Sequence, residues 1–355
     1  MHQEPEQPSA VNRSSPEGNP RSTGTLSRRG WLQAAGTLAV ASGVAPFIWT
    51  SRASAASGQL KPIKLAWNAS SVCLAPVAAA LKENIFRNHG LDVELINFGG
   101  STDQLLEAIA TKKADAGVGM ALRWLKPLEQ GFDVKLTAAT HGGCMRLLTL
   151  SNSGVTDLKS LKGKTVAVSD MASPAKNFFS ILLAKRGIDP VRDVQWRQYP
   201  ADLLGIALEK GEAQAAADGD PRTYLLRKER GLVEVATNLS DEYAKRACCV
   251  LGIRGSLIRE DRQTASALTH AVLQAQDWTV ANPEGAARHF AEFAKVPQAD
   301  VVAMLKSHTH GHHPVGADLK KELAQYTDEL KLVSVIRPGT DSSKFAERIY
   351  ANVLG

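Results

Sequence analysis

From about residue 61 onward, short apolar runs alternate with longer stretches of helical periodicity, which predicts an α/β fold. Ile63–Trp67 and Leu91–Phe98 read as strands, with a helix over Ala75–Asn88 between them that Gly90 terminates. A helix at Thr102–Thr111, a strand at Ala114–Val118, a helix at Leu122–Gln130 and a strand at Val134–Ala139 continue the cycle. A second cycle follows the polar stretch Asp157–Lys164. Its strands are Thr165–Val168, Val194–Gln198 and Ala213–Ala217, and its helices Ala175–Lys185, Asp202–Lys210 and Arg222–Glu229. Short strands at Val233–Ala236 and near Cys248–Ile253 then lead back toward the first cycle. Beyond Leu257 the pattern is helical, over Glu260–Asn282, Pro283–Ala294, Ala299–Leu305, Ala317–Leu330 and Ser342–Leu354. The expectation is a clamshell of two α/β lobes with a helical C-terminal tail. Residues 56–142 and 254–355 form one lobe, and 143–253 the other. In such sheets ligands bind beyond the carboxyl ends of the strands, so the loops that follow them are the first place to look for a site.

The first 55 residues follow a different pattern. Up to about residue 25 they are rich in Pro, Ser, Gln, Asn and Gly, with too little apolar surface to offset the entropy of ordering. Ser27-Arg28-Arg29-Gly30-Trp31-Leu32-Gln33 precedes an apolar run from Ala34 to Trp49 and a small-residue site at Ala53-Ser54-Ala55. Those are the parts of a signal peptide. The arginine pair resembles a twin-arginine export signal, although Trp31 and Gln33 depart from its Phe and Lys. Gly36, Thr37, Ser42, Gly43 and Pro46 weaken the run as a membrane span. Residues 1–55 are therefore expected to be a leader that the twin-arginine translocase reads, and the mature chain to be periplasmic.

Composition narrows the partners. A net charge of +6 over 355 residues, without basic blocks, does not fit a nucleic-acid partner. Four cysteines are too few for a disulfide framework in a chain of this length. A Cys73–Cys144 bridge is conceivable in an oxidising compartment, and Cys248-Cys249 reads as a pair of small buried hydrophobes.

Four segments carry a resemblance. They are Leu65-Ala66-Trp67 with Ala75-Pro76-Val77-Ala78; Gly99-Gly100-Ser101-Thr102-Asp103 with Ala114-Asp115-Ala116-Gly117; Leu158–Val168 running into Ser173 and Asn177-Phe178; and Ala207–Ala216 followed by Asp218-Gly219-Asp220-Pro221. In this order and spacing the sequence resembles the periplasmic binding proteins for aliphatic sulfonates, taurine and nitrate, in the thiamine-pyrimidine-synthase-like superfamily. The resemblance implies a type II-like periplasmic binding protein that closes on a small-molecule solute, with an ABC permease and its ATPase as partners. It further implies a monomer that is neither an enzyme nor dependent on a cofactor.

The candidate ligand-binding residues lie after the strands. Gly100, Ser101 and Thr102 open a helix whose free N–H groups suit an anion, and Ser173-Pro174 repeats that arrangement in the second lobe. Trp67, Asn68, Ser71 and Cys73 follow the first strand; Trp67 either stacks on a ligand or belongs to the core. Met120 follows the third strand, and Met171 precedes Ser173. His141 leads into Gly142-Gly143, which fits either a hinge or a close backbone approach. Asp218 and Asp220 would suit an amine or ring N–H, so these residues disagree on ligand charge. An anion (sulfonate, nitrate-like or carboxylate) is the main expectation, and a pyrimidine-type solute the alternative. Ser173-Pro174-Ala175-Lys176 matches S-x-x-K of serine acyl enzymes, but without the companion S-D-N and K-T-G. His308-Thr309-His310-Gly311-His312-His313 is dense enough to suggest a metal-binding or sensor protein, yet Gly311–Pro314 reads more readily as an exposed turn, so no metal is expected.

Overall fold

Lys61–Trp67 (β1) begins a five-stranded sheet in the computed structural model, which describes residues 59–99 and 102–355, the side chains of 102 and 103 excepted. The leader with its arginine pair, and Gly100 and Ser101, lie outside the described residues. Leu91–Asn97 (β2), Ala116–Met120 (β3) and Val134–His141 (β4) belong to the same sheet. The chain then crosses to a second sheet of Met145–Thr149 (β5), Thr165–Val168 (β6), Gln195–Gln198 (β7), Ala215–Gly219 (β8) and Val233–Thr237 (β9). It returns as Cys249–Arg254 (β10), which pairs antiparallel with β3 and β4 and so belongs to the first sheet.

The strand orders are β2-β1-β3-β10-β4 and β7-β6-β8-β5-β9. Each sheet has a parallel half, β2-β1-β3 and β7-β6-β8, and takes one antiparallel strand directly from a crossing segment. The two sheets thus have the same plan, and every parallel strand delivers its carboxyl end to the same side.

The helices up to the second crossing are Ala75–Lys82 (α1), Ile85–Asn88 (α2), Thr102–Ala110 (α3), Ala121–Glu129 (α4), Pro174–Lys185 (α5), Leu204–Glu209 (α6) and Arg222–Arg230 (α7). The tail adds Gly255–Glu260 (α8), Arg262–Ala281 (α9), Pro283–Ala294 (α10), Gln298–Ser307 (α11), Gly316–Leu332 (α12) and Ser342–Ile349 (α13). Among the described residues no helix is long and apolar enough to cross a membrane.

Three departures from the sequence reading have local causes. Ala75–Asn88 is two helices, because Asn84 takes a left-handed conformation with φ 56°. Glu260–Asn282 breaks at Asp261, whose carboxylate accepts from the Thr264 amide at 3.0 Å and caps α9. The last helix ends at Ile349, where Tyr350 turns alongside Leu136 and the Ala351 amide donates to the Leu136 carbonyl at 2.9 Å. The β5 strand, absent from the reading, is buried along its whole length and so shows no alternation.

Gly142 and Gly143 are needed for space. A Cβ at Gly143 would lie 2.4 Å from the Asn238 carbonyl oxygen, and one at Gly142 would lie 2.7 Å from Thr309 Cβ. Close approach, rather than a positive φ, is what these positions require.

Glu129 at the end of α4 anchors the tail. Burial alone would raise its carboxyl, but hydrogen bonds from Lys126, Thr340 and the Arg337 amide hold it at about 2. A depressed carboxylate stabilises the fold above its ordinary value and stops doing so as pH falls through the folded one. Acid titration followed by circular dichroism should therefore show stability lost between about pH 4.5 and 2. In Glu129→Gln that part of the loss should be missing, with lower stability at neutral pH.

Candidate solute cleft

The carboxyl ends of β1, β3, β6 and β8 face one another across an open cavity of about 820 Å³, within the usual range for small-molecule sites. On the first side, Asn68 organises the turn after β1. Its Oδ1 accepts from the Ser70 amide at 3.0 Å, and its Nδ2 donates to Ser71 Oγ at 2.7 Å. On the second side, Ser173 caps α5, its Oγ accepting from the Lys176 amide at 3.1 Å, with Pro174 at the first helical position. Ser173 and Pro174 line the cavity, but the turn keeps its amides to itself: Pro174 has none, and the Asn177 amide donates to the Ser173 carbonyl at 3.1 Å.

Of the residues singled out in the sequence, Trp67, Asn68, Ser71, Cys73 and Met120 line the cavity from the first side. Ser173, Asp218 and Asp220 line it from the second. Trp67 is also core: only 2% exposed, it packs edge-on against Phe293 at 5.0 Å and Phe290 at 6.4 Å. His141 is fully buried behind the cavity wall, and Met171 is 43% exposed outside it. Thr102 begins α3, but with its side chain undescribed, and with Gly100 and Ser101, it stands outside what the geometry addresses.

The charges around the cavity are largely spoken for. Arg123 of α4 pairs with Asp170 in the loop after β6, an ion pair that spans the two sides. Asp218 pairs with Arg222 at 2.6 Å. Asp220 is saturated: Arg146, Thr223, the Tyr224 amide and His308 all donate to its carboxylate. Burial would push that carboxyl up, but the His308 hydrogen bond and the nearby Arg146 charge hold it below the ordinary range. Asp220 is therefore a framework residue, and its carboxylate is not spare for a ligand. Asp202, Glu229 and Lys295 also line the cavity and have no ion-pair partner among the described residues.

Sequence reasoning passed over Asp170, Arg222, Lys295 and Cys249, which all line the cavity. Asp170 and Arg222 sit just past β6 and β8, where the strand-end rule places ligands. Lys295 ends α10 in the tail, and no local pattern points to it. All four cysteines are buried and free, so Cys73 and Cys144 are not bridged.

Known proteins share this architecture. The alkanesulfonate-binding protein SsuA from Xanthomonas axonopodis pv. citri, bound to MOPS, superposes with a TM-score of 0.68 at 17% identity, covering 81% of this chain and 99% of that one. The periplasmic nitrate-binding protein NrtA from Synechocystis PCC 6803 gives 0.69 at 16% identity, covering 83% and 87%. The fold is that of the two-lobed periplasmic binding proteins which serve ABC importers. By sequence, a Brucella abortus (strain 2308) protein described as a binding protein is 23% identical over 248 residues, 69% of this chain and 76% of the relative. The family model described as NMT1/THI5 like matches residues 73–286, from the turn after β1 through both sheets to the start of α10, and the chain belongs to that family.

Proposed function

We propose that this chain is the periplasmic solute-binding component of an ABC importer, exported through its arginine-pair leader, and that it binds a small organic anion between its two sheets. The observation that carries the reading is the 820 Å³ cavity formed by corresponding strand ends of two sheets with one plan. That volume suits an organic molecule better than a nitrate-sized ion. Lys295, without an ion-pair partner among the described residues, favours a sulfonate or carboxylate, and Asp202 and Glu229 favour a cationic or N–H group elsewhere on the same molecule. An amino-sulfonate or amino-carboxylate satisfies both.

A melting-temperature screen tests this. Ligand at 100 times its Kd stabilises the folded form by about 2.7 kcal/mol, so the true solute raises Tm by several degrees. Zwitterionic sulfonates or carboxylates should do so and nitrate should not; a shift with nitrate alone would refute the organic-anion reading. With the hit in hand, Lys295→Ala should weaken affinity about tenfold, the scale of one charge-assisted hydrogen bond.

A further inference from the structure

Behind the cleft wall, elements remote in sequence bring soft metal ligands together. In the first sheet Cys249 of β10 stands in register beside His141 of β4 and Met120 of β3. Cys73, in the short turn Val72–Leu74 after β1, lies over them, with its Sγ 3.9 Å from Cys249 Sγ. Two thiolates on one tetrahedral zinc ion, each at about 2.3 Å, stand about 3.8 Å apart. The ligand atoms of Cys73, His141 and Cys249 all lie within 4.8 Å of one another, and all three residues are buried. Cys144 and Cys248 are buried near the same group.

Two more imidazoles reach in from the loop after α11. The rings of His308 and His310 stand 6.4 and 5.4 Å from that of His141. Both nitrogens of His141, Nδ1 of His308 and Nε2 of His310 are buried without a hydrogen-bond partner. Buried polar atoms are normally satisfied, so four orphans in one place call for an explanation. The other nitrogens of the two outer histidines are held by acceptors: His308 Nε2 donates to Asp220 Oδ2 at 2.8 Å, and His310 Nδ1 faces Gln276 Oε1 at 3.4 Å. A carbonyl or carboxylate on one ring nitrogen, with the lone pair of the other aimed inward, is how proteins orient metal-binding imidazoles.

We propose that this group is a binding site for a thiophilic d10 cation, zinc or cuprous copper. Cys73, Cys249 and His141 are its ligands, and the fourth donor comes from the surrounding Cys144, His308 and His310. The donor set is sulfur and imidazole, which excludes magnesium and calcium. Binding breaks the S–H bonds of Cys73 and Cys249, forms two metal–sulfur bonds and releases two protons to solvent, while neutral His141 gives a lone pair; no electron moves. Cys73 and Cys249 line the cleft, so an ion enters from there. The neighbouring His312 and His313 take no part, being paired outward with Glu322 at 2.9 Å and Asp277 at 3.0 Å.

The test uses the full chain, reduced, stripped with chelator and titrated with zinc alone, with cuprous ion under reductant, and with cobalt as a spectroscopic probe. Expected are one zinc or cuprous ion per chain, about two protons released per zinc, a higher Tm and an intense near-ultraviolet thiolate-to-cobalt band. Cys249→Ser and His141→Ala should weaken zinc binding more than the roughly 10- to 100-fold typical of outer-shell changes. His312→Ala with His313→Ala should leave it unaltered. If the ligand variants do not fold, the cobalt band in the unaltered chain decides. The proposal is overturned if neither ion binds stoichiometrically, if cobalt shows no thiolate band, if the His312→Ala, His313→Ala variant abolishes binding, or if Cys73 and Cys249 return to a disulfide that excludes the ion. A negative result here leaves any melting shift with an organic solute standing.

Discussion

Gly252→Ala should cost about 3 kcal/mol or more, the upper end of what overpacking a core does, out of a total stability on the order of 5–15 kcal/mol. Gly252 lies in β10, an interior strand of the first sheet between β3 and β4, where a Cβ would stand 1.8 Å from Cζ3 of Trp124. The indole is fully buried and cannot retreat: on its other edge, a Cβ at Gly119 would meet its Nε1 at 2.6 Å. Two glycines on adjacent strands thus make the slot that α4 fills with its tryptophan. The φ of Gly252 is not positive, so the penalty is one of space and not of backbone conformation. Urea denaturation measures the loss, and a second substitution identifies its cause. Trp124→Leu opens the slot, so Gly252→Ala should cost much less in that background, with a coupling on the order of 1–3 kcal/mol. A Gly252→Ala protein within about 0.5 kcal/mol of the parent would mean that the ring is not where the sheet places it.

The parallel strands and most helices were legible because each carries its own signal. Ile63–Trp67 and Thr165–Val168 are apolar runs bounded by turns, and α5 announces itself with Ser173-Pro174. β5 was not, for a physical reason. Its Arg146 interrupts the apolar run, but in the fold it is buried and paired with Asp220 at 3.2 Å and Glu234 at 2.6 Å. Both partners are more than 70 positions away, beyond the reach of local periodicity.

The candidate site divides in the same way. The strand-end rule recovers Asn68, Ser71, Met120, Ser173 and Asp218, which line the cavity. It cannot tell a carboxylate offered to solute from one consumed by the framework, which is what became of Asp220. Nor could spacing show that Cys248-Cys249, read as small hydrophobes, stand beside Cys73, His141 and His310. Those residues meet only because the β4–β10 register and the loop after α11 bring them there.

Removing the carboxylate of Glu329 should be the other costly change, about 3–5 kcal/mol in Glu329→Gln. Glu329 sits on α12, and its Oε1 accepts from Arg246 at 2.8 Å, Lys185 at 2.6 Å and the Tyr243 hydroxyl at 3.0 Å. Arg246 lies on the segment that carries the chain from the second sheet back to the first, with its guanidinium 4.1 Å from the Tyr326 ring and 4.9 Å from that of Tyr243. Lys185 ends α5, so one carboxylate ties the tail to both the crossing and the second sheet's main helix. The side chains of Glu329 and Arg246 are each 9% exposed. A neutral amide would leave the Arg246 charge buried without its counter-charge, whereas Lys185, at 28%, keeps contact with water. Burial alone would raise the Glu329 carboxyl, but Arg246 and then Lys185 hold it below its ordinary value of 4.5. Its contribution is therefore complete above that value and fades as the solution is acidified, so the parent and Glu329→Gln should converge in acid. Replacing both partners together, Glu329→Leu with Arg246→Met, should recover most of the loss, because an apolar pair strands no charge. If the double variant is as unstable as Glu329→Gln, Arg246 is not the group that Glu329 neutralises, and Lys185 with Tyr243 must carry the junction.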